Sequence, residues 1–226
     1  MNDDGVLGKL YVAFDFVYRL IYLNLLWFSF TLIGAFIFGI GPSTIALYHV
    51  IRKWLRKELG NDQHIFKDYL QAYKDNFIKG NIIGLIVIFV YFMFLVNYRY
   101  ATLRTELVFQ FIRVSTVILA IITTIMATYL APLYVHYKLT IKEYFQKSFV
   151  LAIAHPLPTL LNVVWLIIVG YLFNVLFPFS LLLGVSCLAY GLMGITYSSF
   201  VRNDRLVEEK LGRSLTNVEV EEKRLS

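Results

Sequence analysis

Charge is scarce in this 226-residue sequence: 16% of the residues are Asp, Glu, Lys or Arg, where a soluble domain carries about a quarter. None lies between Arg19 and Arg52, Lys79 and Arg99, Arg113 and Lys138, or Lys147 and Arg202. Stretches of that length without charge exclude a chain that is water-exposed throughout. The single cysteine, Cys187, excludes an intramolecular disulfide and a cysteine-cluster metal site. HExxH is absent, as is the Gly-Lys-Ser/Thr of a nucleotide-binding loop. No Ser-His-Asp set, carboxylate pair or activated thiol emerges, so no catalysis and no cofactor are expected. The opening Met-Asn-Asp-Asp-Gly is acidic where a secretory leader is basic, so the first apolar segment is expected to be retained.

What fills the charge-free gaps is apolar. Hydrophobic residues make up 58% of the chain and mean hydropathy is +0.65. A bilayer core ~30 Å thick takes about 20 apolar residues as a helix. The gaps predict spans near 21–40, 81–98, 115–136, 157–176 and 181–200. Pro178 and the small-residue run Ser180–Ser186 mark the turn between the last two. Lipid leaves unpaired backbone groups unsatisfied, so the spans are helical. Transmembrane strands would alternate in polarity, whereas Ile82–Leu95 is apolar on every face. The expected fold is all-α: a polytopic bundle of five transmembrane helices over residues 1–200, in contact with the lipid bilayer, followed by a charged cytoplasmic tail, 201–226.

Five spans would put the termini on opposite sides. Segments 52–80, 137–147 and 201–226 then hold 16 Lys and Arg on one side, against 5 on the other. Positive loops stay in the cytoplasm, which predicts a multi-pass membrane protein with its N-terminus outside and its C-terminus inside. The net charge of +6 is thus a topology signal, and nucleic acid is not an expected partner.

Residues 62–79 carry Phe66, Tyr69, Leu70, Tyr73 and Phe77 at helical spacing. They predict an amphipathic helix, capped by Asn61 or Asp62, that lies in the interface or docks on the bundle. "KDYLQ" at 67–71 resembles "KEYFQ" at 142–146, and "ALYHV" at 46–50 resembles "PLYVH" at 132–136. Two parallel units of span, short helix and span, near 20–98 and 114–176, would explain both. Chance likeness among membrane borders rich in Lys, Tyr and Phe is the competing account. In the tail, Thr216-x-x-Glu219 fits a capping box for a short helix.

Gly39-x-Gly41 lacks the third glycine of a dinucleotide fingerprint, since Thr44 stands there. With Pro42 it is expected to bend the chain as span one ends. His49 and His136 occupy matching places in the two units. They suit either a paired metal or proton site or histidines wetted by headgroups. Inside the spans, Thr124, Thr128 and Asn162 are the strongest candidates for a polar substrate path, with helix packing as the plainer role. The tyrosines at span ends are explained by aromatic belts, with sugar stacking as the sharper alternative.

The pattern Asn24-Leu-Leu-Trp27, then Gly41-Pro42-Ser-Thr-x-Ala46-Leu47-Tyr48, then Phe66-x-x-Tyr69 and Asn76-Phe77 resembles the YesL-like family of bacterial integral membrane proteins, a domain of unknown function. The resemblance is strongest over about 20–90. It implies a Gram-positive source and genes that neighbour carbohydrate-uptake ABC systems. An accessory role beside ABC sugar permease subunits follows from that resemblance alone. An independent small-solute carrier or channel, and a membrane sensor or scaffold acting through the tail, are the alternatives.

Overall fold

The structure, a computed structural model, describes the backbone of residues 6–59 and 62–225 and, with short gaps, the side chains from Gly8 to Arg205. Asn61, the Asp62 side chain and the Thr216–Glu219 pair lie outside what is described. Eight helices follow one another: α1 (Val6–Ile33), α2 (Ile37–Leu55), α3 (Asp62–Asp75), α4 (Phe77–Thr102), α5 (Leu107–His136), α6 (Ile141–Ala154), α7 (Pro156–Val175) and α8 (Phe177–Leu225). No strand occurs among the described residues. Among the described residues, five helices are long and apolar enough to cross a membrane: Gly8–Ile33, Phe77–Thr102, Leu107–His136, Pro156–Val175 and the Ser180–Arg202 part of α8. Four of them fall where the charge-free gaps predict spans.

The first does not. The expected span 21–40 is divided between two helices, and the bend is not at Gly39–Pro42. Helix α1 begins well before Arg19, because the Arg19 Nε–Asp15 Oδ2 pair at 2.8 Å, one helical turn apart, lets the helix carry both charges. The reversal falls at Gly34-Ala35-Phe36. Gly34 and Phe36 donate N–H bonds to Phe30 O and Thr31 O at 3.1 and 2.9 Å, so the last carbonyls of α1 are satisfied without water. Ala35 and Phe36 carry positive φ values of 52° and 62°. The Ile37 N–H to Ala35 O bond of 2.8 Å closes a γ-turn on Phe36, a strained conformation for a residue with a side chain.

After this turn α2 runs back along α1. Gly39 sits on Thr31, Trp27 bonds Thr44, and Phe16 meets Trp54. Although α2 is more polar than α1, α4 and α5, it is the hub: it touches α1, α3, α4, α5 and α8. Ala46, Leu47, Val50 and Ile51 are wholly buried. A helix enclosed by other helices need not be lipophilic, which is why hydropathy passes it over.

The small residues of α2 permit this enclosure. A Cβ on Gly39 would meet the Thr31 backbone, and one on Gly41 would meet Gly80 O, so the two glycines serve opposite neighbours, α1 and α4. From the α4 side, a Cβ on Gly80 would lie 2.9 Å from Pro42 Cα. Lipid provides no hydrophobic force between helices, so this close packing is itself the cohesion.

The hairpin changes the sidedness. Helix α2 returns to the end of the bundle where α1 began. Helix α4 leaves that end and α5 comes back, bringing Val135 O to 2.6 Å from Arg52 Nη1. Helix α7 leaves and α8 comes back, bringing Asp204 to His136. The expectation of termini on opposite sides is therefore corrected: the start of α1 and the stretch of α8 after Arg202 share one end. Among the described side chains, that end collects 14 of the 17 Lys and Arg, from Lys9 and Arg19, 52–79, 138–147, Arg202 and Arg205, and the other retains Arg99, Arg104 and Arg113.

The order of long helix, 14-residue helix, long helix occurs twice, as α2-α3-α4 and α5-α6-α7. The first unit thus starts at α2, not at residue 20. Helix α3 stops at Asp75, short of the expected 79, where Asn76 turns its amide onto Ala72 O at 2.8 Å. It docks on the bundle, burying Ile65, Tyr69, Ala72 and Tyr73. Helix α6 begins with a capping box, Thr140 with Glu143. The α7–α8 break lies at Leu176, ahead of Pro178, and Ser180–Ser186 is helical. Helix α8 continues without interruption into the tail, where a separate short helix was expected.

Gly41→Ala should lower the thermal midpoint in detergent by several degrees, the signature of about 1–3 kcal/mol of overpacking. Gly170→Ala, with nothing within 4 Å of its Cβ position, should leave the midpoint unchanged or raise it slightly. Equal effects at the two sites would contradict the packing role.

Candidate functional site

The motif residues converge on α2. Trp27 donates its indole N–H to Thr44 Oγ1 at 3.1 Å, and Ser43 donates its hydroxyl to Trp27 O at 2.9 Å. The Tyr69 hydroxyl lies 2.7 Å from Ser43 Oγ and donates to Ser43 O at 2.8 Å. This short network ties α1, α2 and α3 together around the Pro42 break in the α2 hydrogen-bond ladder. Burial pushes the Tyr69 phenol well above its ordinary range, so it remains a neutral donor. Asn24, fully buried, donates to Leu181 O at 2.6 Å and accepts from Ser186 N–H at 3.2 Å, fastening α8 to α1. Tyr48 is buried in the core, whereas Phe66 on α3 and Phe77 at the start of α4 are half-exposed. These residues assemble the fold and are not gathered at a cavity.

Thr124, Thr128 and Asn162 do not line a common path. Asn162 donates to Thr128 Oγ1 at 3.3 Å, joining α7 to α5, while Thr124 faces α4 and pairs with Tyr91 at 2.7 Å. Thr124 borders an apolar 500 Å³ groove among α4, α5 and α7.

A different place has the chemistry of a site. Where α2 and α5 end side by side, a half-open cleft of 910 Å³ separates the two units. Arg52, Lys74, Lys79 and Lys138 line it, with Asp75 as the one carboxylate on its wall. His49 and His136 also line it, so the fold does bring the matched histidines to one cavity. No group of three His, Cys, Asp or Glu suited to a metal occurs among the described residues. The units are stitched together here by Arg52 to Val135 O and by the Tyr134 hydroxyl, which donates to Asn76 Oδ1 at 2.9 Å. Asn76 thus acquires a definite role at the cleft.

Asp204, just past the last span, closes one side. It accepts from the Tyr137 hydroxyl at 2.7 Å and lies 3.0 Å from His136 Nε2. Burial opposes its ionisation. The bonds from His136 and Tyr137, with the charge of His136, outweigh burial and hold the carboxyl below its usual range. Burial, then the neighbouring Asp204, drives the Tyr137 phenol upward. Sequence reading found the histidines and not the cleft, because its cations come from four separate segments. The only legible signal was the pairing of "ALYHV" with "PLYVH".

The family described as "Protein of unknown function, DUF624" matches residues 20–98. Three curated proteins of Bacillus subtilis (strain 168) are similar. The uncharacterized protein YteU is 30% identical over 89% of this chain and 90% of its own length. The uncharacterized protein YesL is 31% identical over 86% and 90%. The uncharacterized protein YesV is 35% identical over 68% and 73%. No solved structure matches.

Asp204→Asn should loosen the start of the tail, at a cost of about 1 kcal/mol. A carboxyl held below its unfolded value stabilises the fold above that value and loses the effect as pH falls through the folded one. The stability gap between wild type and variant, followed by thermal unfolding, should be full at pH 7 and close below about pH 4. A gap that is independent of pH would refute the assignment.

Proposed function

The chain belongs to the YesL-like family, DUF624, and from that premise we propose that it is a non-enzymatic accessory component of ABC-type carbohydrate uptake in a bacterial plasma membrane. The observation that carries the reading is the character of the interior. Among the described residues, the buried polar groups are Asn, Ser and Thr, and no Asp, Glu, Lys or Arg is fully buried. A proton- or sodium-coupled carrier would be expected to hold an ionisable group within its bundle. Here the central helix is instead packed at backbone contact on two sides. An accessory component needs a stable bundle that presents apolar faces to permease subunits, and α4, α5 and α7 expose long rows of Leu, Ile, Val and Phe. The link to sugar comes from the family resemblance.

In the proposed orientation the basic end faces the cytoplasm, because 14 of the 17 described cationic side chains collect there. The basic cleft and the continuation of α8 then meet cytoplasmic partners.

A second reading, an independent small-solute carrier or channel, is favoured by the duplicated units with a cleft between them, an arrangement common in transporters.

Two measurements test these statements. Tagged protein solubilised in mild detergent should bring down ABC permease subunits, and deletion should reduce sugar uptake. A clean preparation with unchanged uptake would overturn the accessory role, and solute flux in vesicles holding only this protein would favour the carrier. Reporters fused to each terminus should both register the cytoplasm, and disagreement would refute the α1–α2 return.

A further inference from the structure

We propose that the cleft between the two units binds a phosphate ester carried on a polyol, the chemistry shared by a soluble sugar phosphate and a glycerophosphate lipid headgroup. This does not depend on the uptake reading. Charge is the first argument. Arg52, Lys74, Lys79 and Lys138 line a single cavity in which Asp75 is the one carboxylate among the described lining residues, with Asp204 closing one side against His136 and Tyr137, so the cations outnumber the carboxylates and the wall carries a surplus of positive charge. Asp75 is already engaged by the amide of Gln71 at 2.8 Å. The basic residues near the cleft that do have carboxylate partners, Lys53 with Asp68 and Arg56 with Glu58, lie outside its lining.

Unsatisfied polar atoms are the second argument. Arg52 Nε and His136 Nδ1 are buried and find no hydrogen-bond partner among the described residues. A buried donor left without a partner costs about 1–3 kcal/mol, so Arg52 Nε, a donor in every state, is a reason to expect an acceptor there, and His136 Nδ1 becomes a second donor when the ring is protonated. Each of these side chains is held in place by its other nitrogen. Arg52 Nη1 donates to Val135 O, and His136 Nε2 faces Asp204. A phosphate oxygen accepting from Arg52 Nε, and from His136 Nδ1 in its protonated form, would meet donors already oriented, the arrangement that makes Arg–phosphate recognition specific.

Shape is the third. A cavity of 910 Å³ lies within the ~300–1,000 Å³ range of small-molecule sites and far exceeds a bare inorganic anion. Tyr134 and Tyr144, with ring centroids 4.8 Å apart, add an aromatic wall beside the cations. Such a wall suits the C–H face of a polyol, with phosphate toward Arg52. The apolar groove bordered by Thr124 has no cation and suits acyl chains instead.

The test uses full-length protein and two probes, glucose 6-phosphate in detergent solution and phosphatidylglycerol in nanodiscs otherwise made of phosphatidylcholine. Lys79 and Lys138 are exposed, so Lys79→Gln and Lys138→Gln should fold normally. Arg52→Lys keeps the charge but loses Nε. Saturable binding of glucose 6-phosphate, absent with glucose and weakened about five- to tenfold in each Gln variant, would identify a soluble phosphate ester. Retention of phosphatidylglycerol, with a thermal midpoint that rises with its fraction in wild type but not in the variants, would identify a headgroup. Arg52→Lys should weaken whichever probe binds. If neither probe binds, or if wild type and the folded Gln variants respond alike, the proposal is wrong.

Discussion

The contact of α2 with its neighbours at backbone distance is the constraint on which the rest of the bundle depends. Gly39 admits α1 on one face and Gly41 admits α4 on the other, with Gly80 and Gly84 reciprocating from α4. In water such contacts would be minor beside hydrophobic burial. In lipid the surroundings are as apolar as the helices, so dense packing and internal hydrogen bonds must supply the cohesion. A helix more polar than α1, α4 and α5 can therefore occupy the centre. Its Ser43 and Thr44 hydroxyls, awkward against lipid, become the bonds that hold Trp27 and Tyr69.

The same reasoning accounts for the strained turn at Ala35-Phe36. A wider loop would leave carbonyls of α1 without donors in a poorly hydrated place. The tight reversal satisfies them at the cost of two residues in left-handed conformations, each on the order of 1 kcal/mol. It also sets Thr31 opposite Gly39, so turn geometry and close packing specify one register. Tyr73 reinforces this from α3 by donating to Phe30 O at 3.2 Å.

Much of this fold was legible in the sequence, for identifiable reasons. Four spans were found, each end within four residues of the observed one except the start of α5, which lies eight residues ahead of the expected 115, because lipid selects against charge along the length of a helix that faces it: α4, α5, α7 and the apolar part of α8 obey this. The reading failed at α2, where enclosure by protein removes that selection. Glycines, a proline, hydroxyls and a histidine then look like a turn. It also failed at Arg19, whose charge marks a membrane border only when unpaired, and Asp15 pairs it. The "KDYLQ" and "KEYFQ" segments both fall in 14-residue helices, with Tyr69 and Tyr144 buried. The cleft was illegible because it exists only where four chain segments meet.

Placing the duplicated units in parallel has a consequence that neither unit has alone. Their long helices α2 and α5 end together, at the end that also receives α8. Cationic residues that border the membrane in each unit are thus brought onto two facing walls, Arg52 from one and Lys138 from the other. Were the units antiparallel, the two groups would lie at opposite ends of the bundle and each would face solvent singly. Arg52 and Tyr134 bridge the walls through Val135 O and Asn76, so the cleft is held open at a fixed width. His136 belongs to the same wall and reaches Asp204 on α8.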